Sequence, residues 1–469
     1  MKTIRYITLF ILSIAWLGGA GQKTMTLQEC REMSLRKNEN LKIAAKQLEK
    51  AEIQKAVART HRLPSFSATG MGIYQNKDFE MELILPTQKP NLLTGELEPN
   101  LLIDPLTGYP VVGQDGNPIF NMYAWLPLNV SLSGAYVAGI TMEQPVYTGG
   151  KINAGNKMAD IGIEMAGENL TLQQMNTIEE ADKAYWTYIA VLEKVKLARQ
   201  AVTMLDEIAG KARNAYEVGL ANRNDLLKAQ VEYNSARLNL QKALNGLELS
   251  RMELCRVTGL PFDTGITALD TIIMVETFTD KFSGNEQVEQ RPEYRLMQKN
   301  ISLQEQTIRL VKADFMPVAG IQAGYNHIGG IEFSGTDFSN TSLNVLASVK
   351  IPLFHWGEGM KKINAAKIDK EISQIEMEKN QQLLQLEMEQ ARLNLQLAVE
   401  RIGMNENALE QAEENLKVSR DNYEVGMETL SGYLMAQTQW HQSRSELIDS
   451  KTDFKIKQTA WLKVTGRLK

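Results

Sequence analysis

The sequence predicts a mainly α-helical protein with a smaller β component, built from one helix–strand–strand–long helix–helix unit written twice. Three observations carry this. The chain repeats itself in register, it contains two proline-free stretches of 67 residues, and each copy holds short segments that alternate in character every second residue.

The repetition comes first because it sets the frame. Arg213-Asn-Ala-Tyr216-Glu217-Val218-Gly219 returns 207 positions later as Arg420-Asp-Asn-Tyr423-Glu424-Val425-Gly426, with five of seven residues identical. At the same offset Pro145 meets Pro352, Gly150 meets Gly357, Leu227-x-Ala229-Gln230 meets Leu434-x-Ala436-Gln437, and Val257-Thr258-Gly259 meets Val464-Thr465-Gly466. Upstream, Arg62-Leu63-Pro64 answers Phe315-Met316-Pro317 at an offset of 253, so the first copy carries an insertion of 46 residues between about Tyr74 and Tyr136. Self-similarity of this kind marks a duplicated supersecondary unit. The copies span 21–260 and 291–469, with 261–290 as a linker.

Along the chain, Lys2 and Arg5 precede an apolar run from Ile7 to Leu17 and then Gly18-Gly19-Ala20-Gly21. A basic start, an apolar stretch and a small-residue zone read as a secretory signal peptide over residues 1–20. The formal charge of −5 becomes −7 once Lys2 and Arg5 are removed, which speaks against a nucleic-acid partner. The large acidic Glu29 before Cys30 argues against a lipid-modified cysteine. Cys30 and Cys255 make no disulfide framework, and four scattered histidines offer no metal-ligand spacing. No nucleophile, base and orienter come together, so neither an enzyme nor a cofactor is expected.

Each copy opens on a helical run, Thr26–His61 or Arg291–Asp314. Strands follow, at about 65–75 and 137–147 in the first copy and about 318–328 and 342–353 in the second. Leu343, Val345, Ala347, Val349 and Ile351 alternate with Asn344, Leu346, Ser348 and Lys350, giving two unlike faces. Strands of about 9–11 residues cross a bilayer in a β-barrel, although the strands alone suit a half-buried hairpin in a soluble domain equally well. Between the first pair, Gln75–Ala135 holds seven of the thirteen prolines and reads as a long loop over about 76–135. Trp125, Tyr123, Phe120 and Tyr109 within it suit either an interfacial aromatic girdle or loop packing.

Lys151–Glu217 and Glu358–Glu424 contain no proline and span about 100 Å each as helices. After Gly219 or Gly426 the chain turns back, so helical segments fill 151–257 and 358–464. Leu240, Leu247 and Leu254, matched by Leu447, Phe454 and Trp461, recur every seven residues as in packed antiparallel helices. A returning arm covers half of its long helix, and the entering helix has the length to cover the rest. Glu179-Glu180-Asp182 and Glu413-Glu414 read as solvated helix faces.

The whole order, with the twin Tyr-Glu-Val-Gly turns, the Leu-x-Ala-Gln after each and the Val-Thr-Gly closures, resembles the TolC family of outer-membrane efflux proteins. Arg291-Pro292-Glu293-Tyr294 and its echo Asn38-Glu39-Asn40-Leu41 are similar to the motif that opens each family repeat. The resemblance implies four strands per chain and a homotrimer. It would form a twelve-stranded barrel in outer-membrane lipid and a twelve-helix α-barrel in the periplasm. It implies an exit duct of a tripartite efflux or type I secretion assembly, serving multidrug export or protein secretion. The partners implied are a periplasmic adaptor and an inner-membrane pump or ABC exporter. A periplasmic coiled-coil scaffold is the alternative. Independently, four strands leave two open edges, which lipid does not tolerate, so a spanning monomer is excluded.

The resemblance also implies a periplasmic gate of a tyrosine, an aspartate and an arginine. Carried over by position, these are Tyr423, Asp225 and, in place of the arginine, Glu428; the family's acidic ring falls on Gly432 and Met435. Asp225 equally suits an ordinary acid at a helix N-terminus. Tyr216, Gly219, Leu220, Tyr423, Gly426 and Met427 form the turns where an adaptor is expected to touch.

Overall fold

A computed structural model describes residues 23–132, 134–270, 273 and 287–468; the expected signal peptide and residues 271–272 and 274–286 of the linker fall among the residues outside it. The chain divides into a helical unit (residues up to Ala56, Asn156–Ile308, Ile363–Lys469) and a strand unit (Val57–Gly155, Arg309–Lys362).

In the helical unit the entering run is two helices, α1 (Leu27–Lys37) and α2 (Glu39–Thr60), rather than one. Asn38 makes the break. Its N–H donates to the Ser34 carbonyl at 2.8 Å, ending α1, and its side-chain oxygen accepts from the Leu41 N–H at 3.1 Å, opening α2. The expected 67-residue helices are present as α3 (Lys151–Glu217) and, in the second copy, α6 (Glu358–Glu424). The returning arms are α4 (Arg223–Thr258) and α7 (Leu430–Val464). The second copy enters through α5 (Pro292–Ala313), whose first residue is proline, where the missing N–H costs no helical bond.

Contacts along α3 show how the short helices share its length. Lys55 of α2 pairs with Asp160 at 2.6 Å and Arg31 of α1 with Asp182, while Arg256 of α4 takes over at Glu180. The largest core holds Cys30, Tyr185, Ile189, Leu254 and Cys255. Both cysteines are buried and free. Residues Lys23–Met25 pair in parallel with Ile266–Ala268 against this core.

One acid differs from expectation. Asp182 is 1% exposed, because α1 lies over this stretch of α3. Arg31 grips both its oxygens at 2.6 Å, and the Thr459 hydroxyl of α7 donates a third bond at 2.6 Å. Its neighbours Glu179 and Glu180 stay nearer to water, paired with Lys463 and Arg256.

The strand unit is an antiparallel sheet. The four expected strands are β1 (Ser65–Ile73), β4 (Ala135–Thr148), β5 (Val318–Phe333) and β6 (Thr336–Lys350), paired in that order. The second hairpin is longer than expected and closes through Ser334-Gly335, at φ 48° and 85°. Two successive positive φ values match the twist of the flanking strands.

The 76–135 segment is not irregular. It contains β2 (Phe79–Pro86) and β3 (Tyr123–Ser131), paired from Phe79↔Val130 to Pro86↔Tyr123 and capped by a smaller hairpin, Gln88–Pro90 with Leu97–Pro99. Prolines hid this ribbon without forbidding it. Pro86 ends β2, and Pro127 lies where β3 is paired on one side only, so its missing N–H breaks no second ladder. Phe120 packs edge-on against Tyr123 at the start of β3, with ring centroids 5.9 Å apart.

Candidate functional site at the helix turns

The two turns between long and returning helices are the same device, 207 residues apart. Gly219 and Gly426 sit at φ 76° and 80°. The Leu220 N–H donates to the Ala215 carbonyl and the Met427 N–H to the Asn422 carbonyl, both at 2.8 Å. Each glycine N–H closes the inner ring, on Tyr216 at 3.0 Å and on Tyr423 at 3.1 Å. This left-handed closure satisfies the last carbonyls of a helix and needs a residue without Cβ strain. Asn222 and Thr429 then cap the returning helices, accepting from the Asp225 N–H at 2.9 Å and the Gly432 N–H at 3.1 Å.

The apex is apolar and open: Leu220 is 85% and Met427 76% exposed, with Val218, Val425 and Tyr216 also exposed. Behind it Lys211 pairs with Glu424 at 3.3 Å and the Lys228 ammonium donates to the Ser431 hydroxyl at 2.8 Å, joining the copies. A groove of about 630 Å³ lies here, lined among others by Glu207, Arg420, Tyr423 and Trp440.

The structure places the three expected gate residues at this end, in different states. Tyr423 is half-buried and stacked on Tyr433 (5.5 Å, 22°); among the described residues its hydroxyl has no hydrogen-bond partner. Burial first, and the nearby Asp225 charge second, raise its pKa above the usual tyrosine value. Asp225 lies in the first turn of α4. Glu428 does not reach outward: its carboxylate accepts from the Thr429 N–H at 3.0 Å, folded over the start of α7. A side chain at position 432 would run into it, so Gly432 and the turned-back Glu428 fit together.

One feature escaped the sequence. A cavity of about 400 Å³ between α3, α4 and α7 is lined by Lys194, Glu232, Gln437 and His441. Gln437 is 2% exposed, and among the described residues neither of its amide atoms has a hydrogen-bond partner, nor does the His441 Nε2. The only signal was the repeated Leu-x-Ala-Gln, whose second glutamine this is. Burial lowers the His441 pKa from 6.5 to about 4. The unfolded chain therefore takes up this proton first, so stability falls as pH drops from about 6.5 and levels off below about 4. His441→Leu should remove roughly 2 kcal/mol of that loss, after allowance for the part of the ring still in water. The check is the urea midpoint between pH 7 and 4; parallel curves for both proteins would show that His441 titrates freely.

Comparison with known proteins completes the site. The family described as outer membrane efflux protein matches residues 31–260 and 285–467. The outer membrane efflux protein BepC of Brucella suis is 20% identical over 331 residues, 70% of this chain and 72% of its own. The CmeC outer membrane channel of Campylobacter jejuni is similar at a TM-score of 0.70 and 16% identity, covering 94% of this chain and 86% of its own. The outer membrane protein VceC of Vibrio cholerae gives 0.68 and 15%, over 94% and 96%. At such identities the likeness to the solved structures is one of fold.

Proposed function

This chain belongs to the outer membrane efflux protein family and serves as an outer-membrane exit duct, and we propose that three copies close into one channel fed by an inner-membrane pump or ABC exporter through a periplasmic adaptor. One observation carries the membrane part. Ile321, Ala323 and Tyr325 of β5 share a sheet face with Leu343, Val345 and Ala347 of β6 and with Ile140 and Met142 of β4. The other face holds Thr141 and Glu143, Gln322 and Asn326, and Ser342, Asn344 and Ser348. An apolar face and a polar face on one antiparallel sheet are what lipid outside and water inside require. Among the described residues no helix is long and apolar enough to cross a membrane.

The sheet ends on β1 and β6, each with an unpaired edge. Joining β6 of one protomer to β1 of the next removes both open edges of the four-stranded wall, and three chains give twelve strands around a water-filled bore. Energy comes from the pump; the duct itself conducts passively. In this reading the turns at Tyr216, Gly219, Leu220, Tyr423, Gly426 and Met427 ring the periplasmic mouth and meet the adaptor. Asp225, Tyr423 and Glu428 narrow the mouth when it is closed. With no arginine at 428, the negative charge there asks for a basic partner, and the exposed Arg223 is at hand.

Mass measurement in mild detergent tests the assembly. Three chains per particle are expected, and the protein should stay with the outer membrane after a high-salt wash. A monodisperse monomer released by salt would replace the channel with a periplasmic scaffold.

A further inference from the structure

The ladder between β5 and β6 holds one irregularity. Asn340 faces Ile328 and Phe338 faces Ile331, so β5 spends one extra residue at Gly329-Gly330. Gly330 takes φ 71°, and a Cβ there would run into the Gly134 carbonyl oxygen. Only glycine fits this bulge.

Because β6 has no extra residue, its alternation can be followed straight past that point. On one side of the bulge the odd positions are Leu343, Val345, Ala347 and Val349, and the even positions are Ser342, Asn344, Leu346, Ser348 and Lys350, polar but for Leu346. On the other side the odd positions become Asp337 and Ser339, while Phe338 stands on the even face, edge-on to Phe333 at 6.0 Å. Past the bulge the odd face turns polar, and the even face gains Phe338, Ile331 and Phe333 beside Asn340 and Thr336.

The change continues into the inserted ribbon. Val130 of β3 lies opposite Phe333, which lies opposite Thr336 on the even face. Alternation from Val130 and its partner Phe79 puts Leu83, Leu85, Ala124 and Leu126 on that face too. All six are apolar. The reverse face carries Glu80, Glu82 and Asn129 at its base and Ile84, Trp125 and Tyr123 toward its tip. Phe79 is 55%, Leu85 42% and Leu126 46% exposed, so a single chain leaves the apolar face uncovered.

Lower down, the even face is the polar one that lines the bore. We infer that beyond the membrane surface the three ribbons turn this same face, now apolar, toward the threefold axis and pack on one another as a collar over the outer mouth. The occupant of each apolar face is thus a second copy of this chain. This rests on the trimeric barrel proposed above and on the continuity of β3 with its wall through β5. A lipid-facing role would need the apolar residues on the odd face, where Asp337 stands, and on the reverse of the ribbon, where Glu80 and Glu82 stand. The dimensions agree. Twelve strands about 4.8 Å apart, tilted by about 40°, enclose a mouth roughly 24 Å across. Eight ribbon residues at about 3.3 Å reach roughly 26 Å, so three leaning inward meet over it.

Cysteine coupling in intact cells tests the collar, using the full-length chain, whose own cysteines are buried. Leu126→Cys should be joined into covalent dimers by a short bis-maleimide, the third chain of each trimer keeping a singly attached reagent, whereas Glu82→Cys on the reverse face should remain uncoupled and react with a membrane-impermeant maleimide. As a second reading, Leu83→Asp with Leu126→Asp should raise single-channel conductance about twofold by opening the mouth, with the trimer retained. A trimer in which Leu126→Cys is labelled but not coupled, or is coupled to a different protein, or whose conductance ignores the two aspartates, overturns the collar alone. A monomer in detergent overturns the barrel and the collar together.

Discussion

Asp182→Ala should lower the stability of the helical unit by about 3 kcal/mol, toward the lower end of the range for breaking a buried ion pair. The loss strands the Arg31 guanidinium, which is 23% exposed, and leaves the Thr459 hydroxyl with the longer bond to the Lys455 carbonyl at 3.3 Å. Two controls isolate the cause. Arg31→Met with Asp182→Leu removes both charges and should recover much of the loss, since apolar pairs of similar volume replace buried ion pairs well. Glu180→Ala breaks the exposed pair with Arg256 and should cost less than about 1 kcal/mol. The denaturation midpoint of the detergent-solubilised protein, followed by helical circular dichroism, reads all three. An unchanged midpoint for Asp182→Ala would mean that water satisfies the site.

Tyr423→Phe combined with Asp225→Ala should give the largest functional change, a several-fold rise in single-channel conductance with the barrel intact. Within one chain the Tyr423 hydroxyl is unpaired while the Asp225 charge acts on it. That leaves the hydroxyl available to a carboxylate across neighbouring helix pairs when the mouth closes. Each such bond contributes about 1.5–3 kcal/mol, and threefold repetition is enough to hold a closed state. Planar-bilayer recording of the double variant decides it, and unchanged conductance would place the constriction elsewhere.

The architecture was legible where physics writes long signals. Sixty-seven residues without proline can hardly be anything but one helix, and both α3 and α6 end at the glutamate before each turn. The strands β5 and β6 announced themselves by period two. Local chemistry was harder to read. Asn38 breaks the entering helix with two hydrogen bonds that any asparagine could make. The ribbon was hidden because Glu82-Leu83-Ile84-Leu85 does not alternate and Pro86 and Pro127 mimic loop punctuation. Asp182 looked solvated because burial there is decided by Arg31, 151 residues away. At the tip, position alone brought Asp225 and Tyr423 to the turn end of the helices, but whether Glu428 faces outward or folds back over the start of α7 depends on Thr429 and Gly432.

The short pairing of Lys23–Met25 with Ile266–Ala268 bears on how the molecule is made. Met25 is fully buried, and its carbonyl accepts from the Tyr185 hydroxyl at 3.2 Å. A polypeptide delivered across the inner membrane amino end first presents this segment about 240 residues before its partner arrives. Closing so long a loop is slow, and nothing rewards it until Ile266 has emerged. The first residues out are therefore among the last to settle, and the half-translocated chain exposes Tyr185 and its neighbours to proteases and to itself. A fragment released before the linker should therefore be degraded rather than folded.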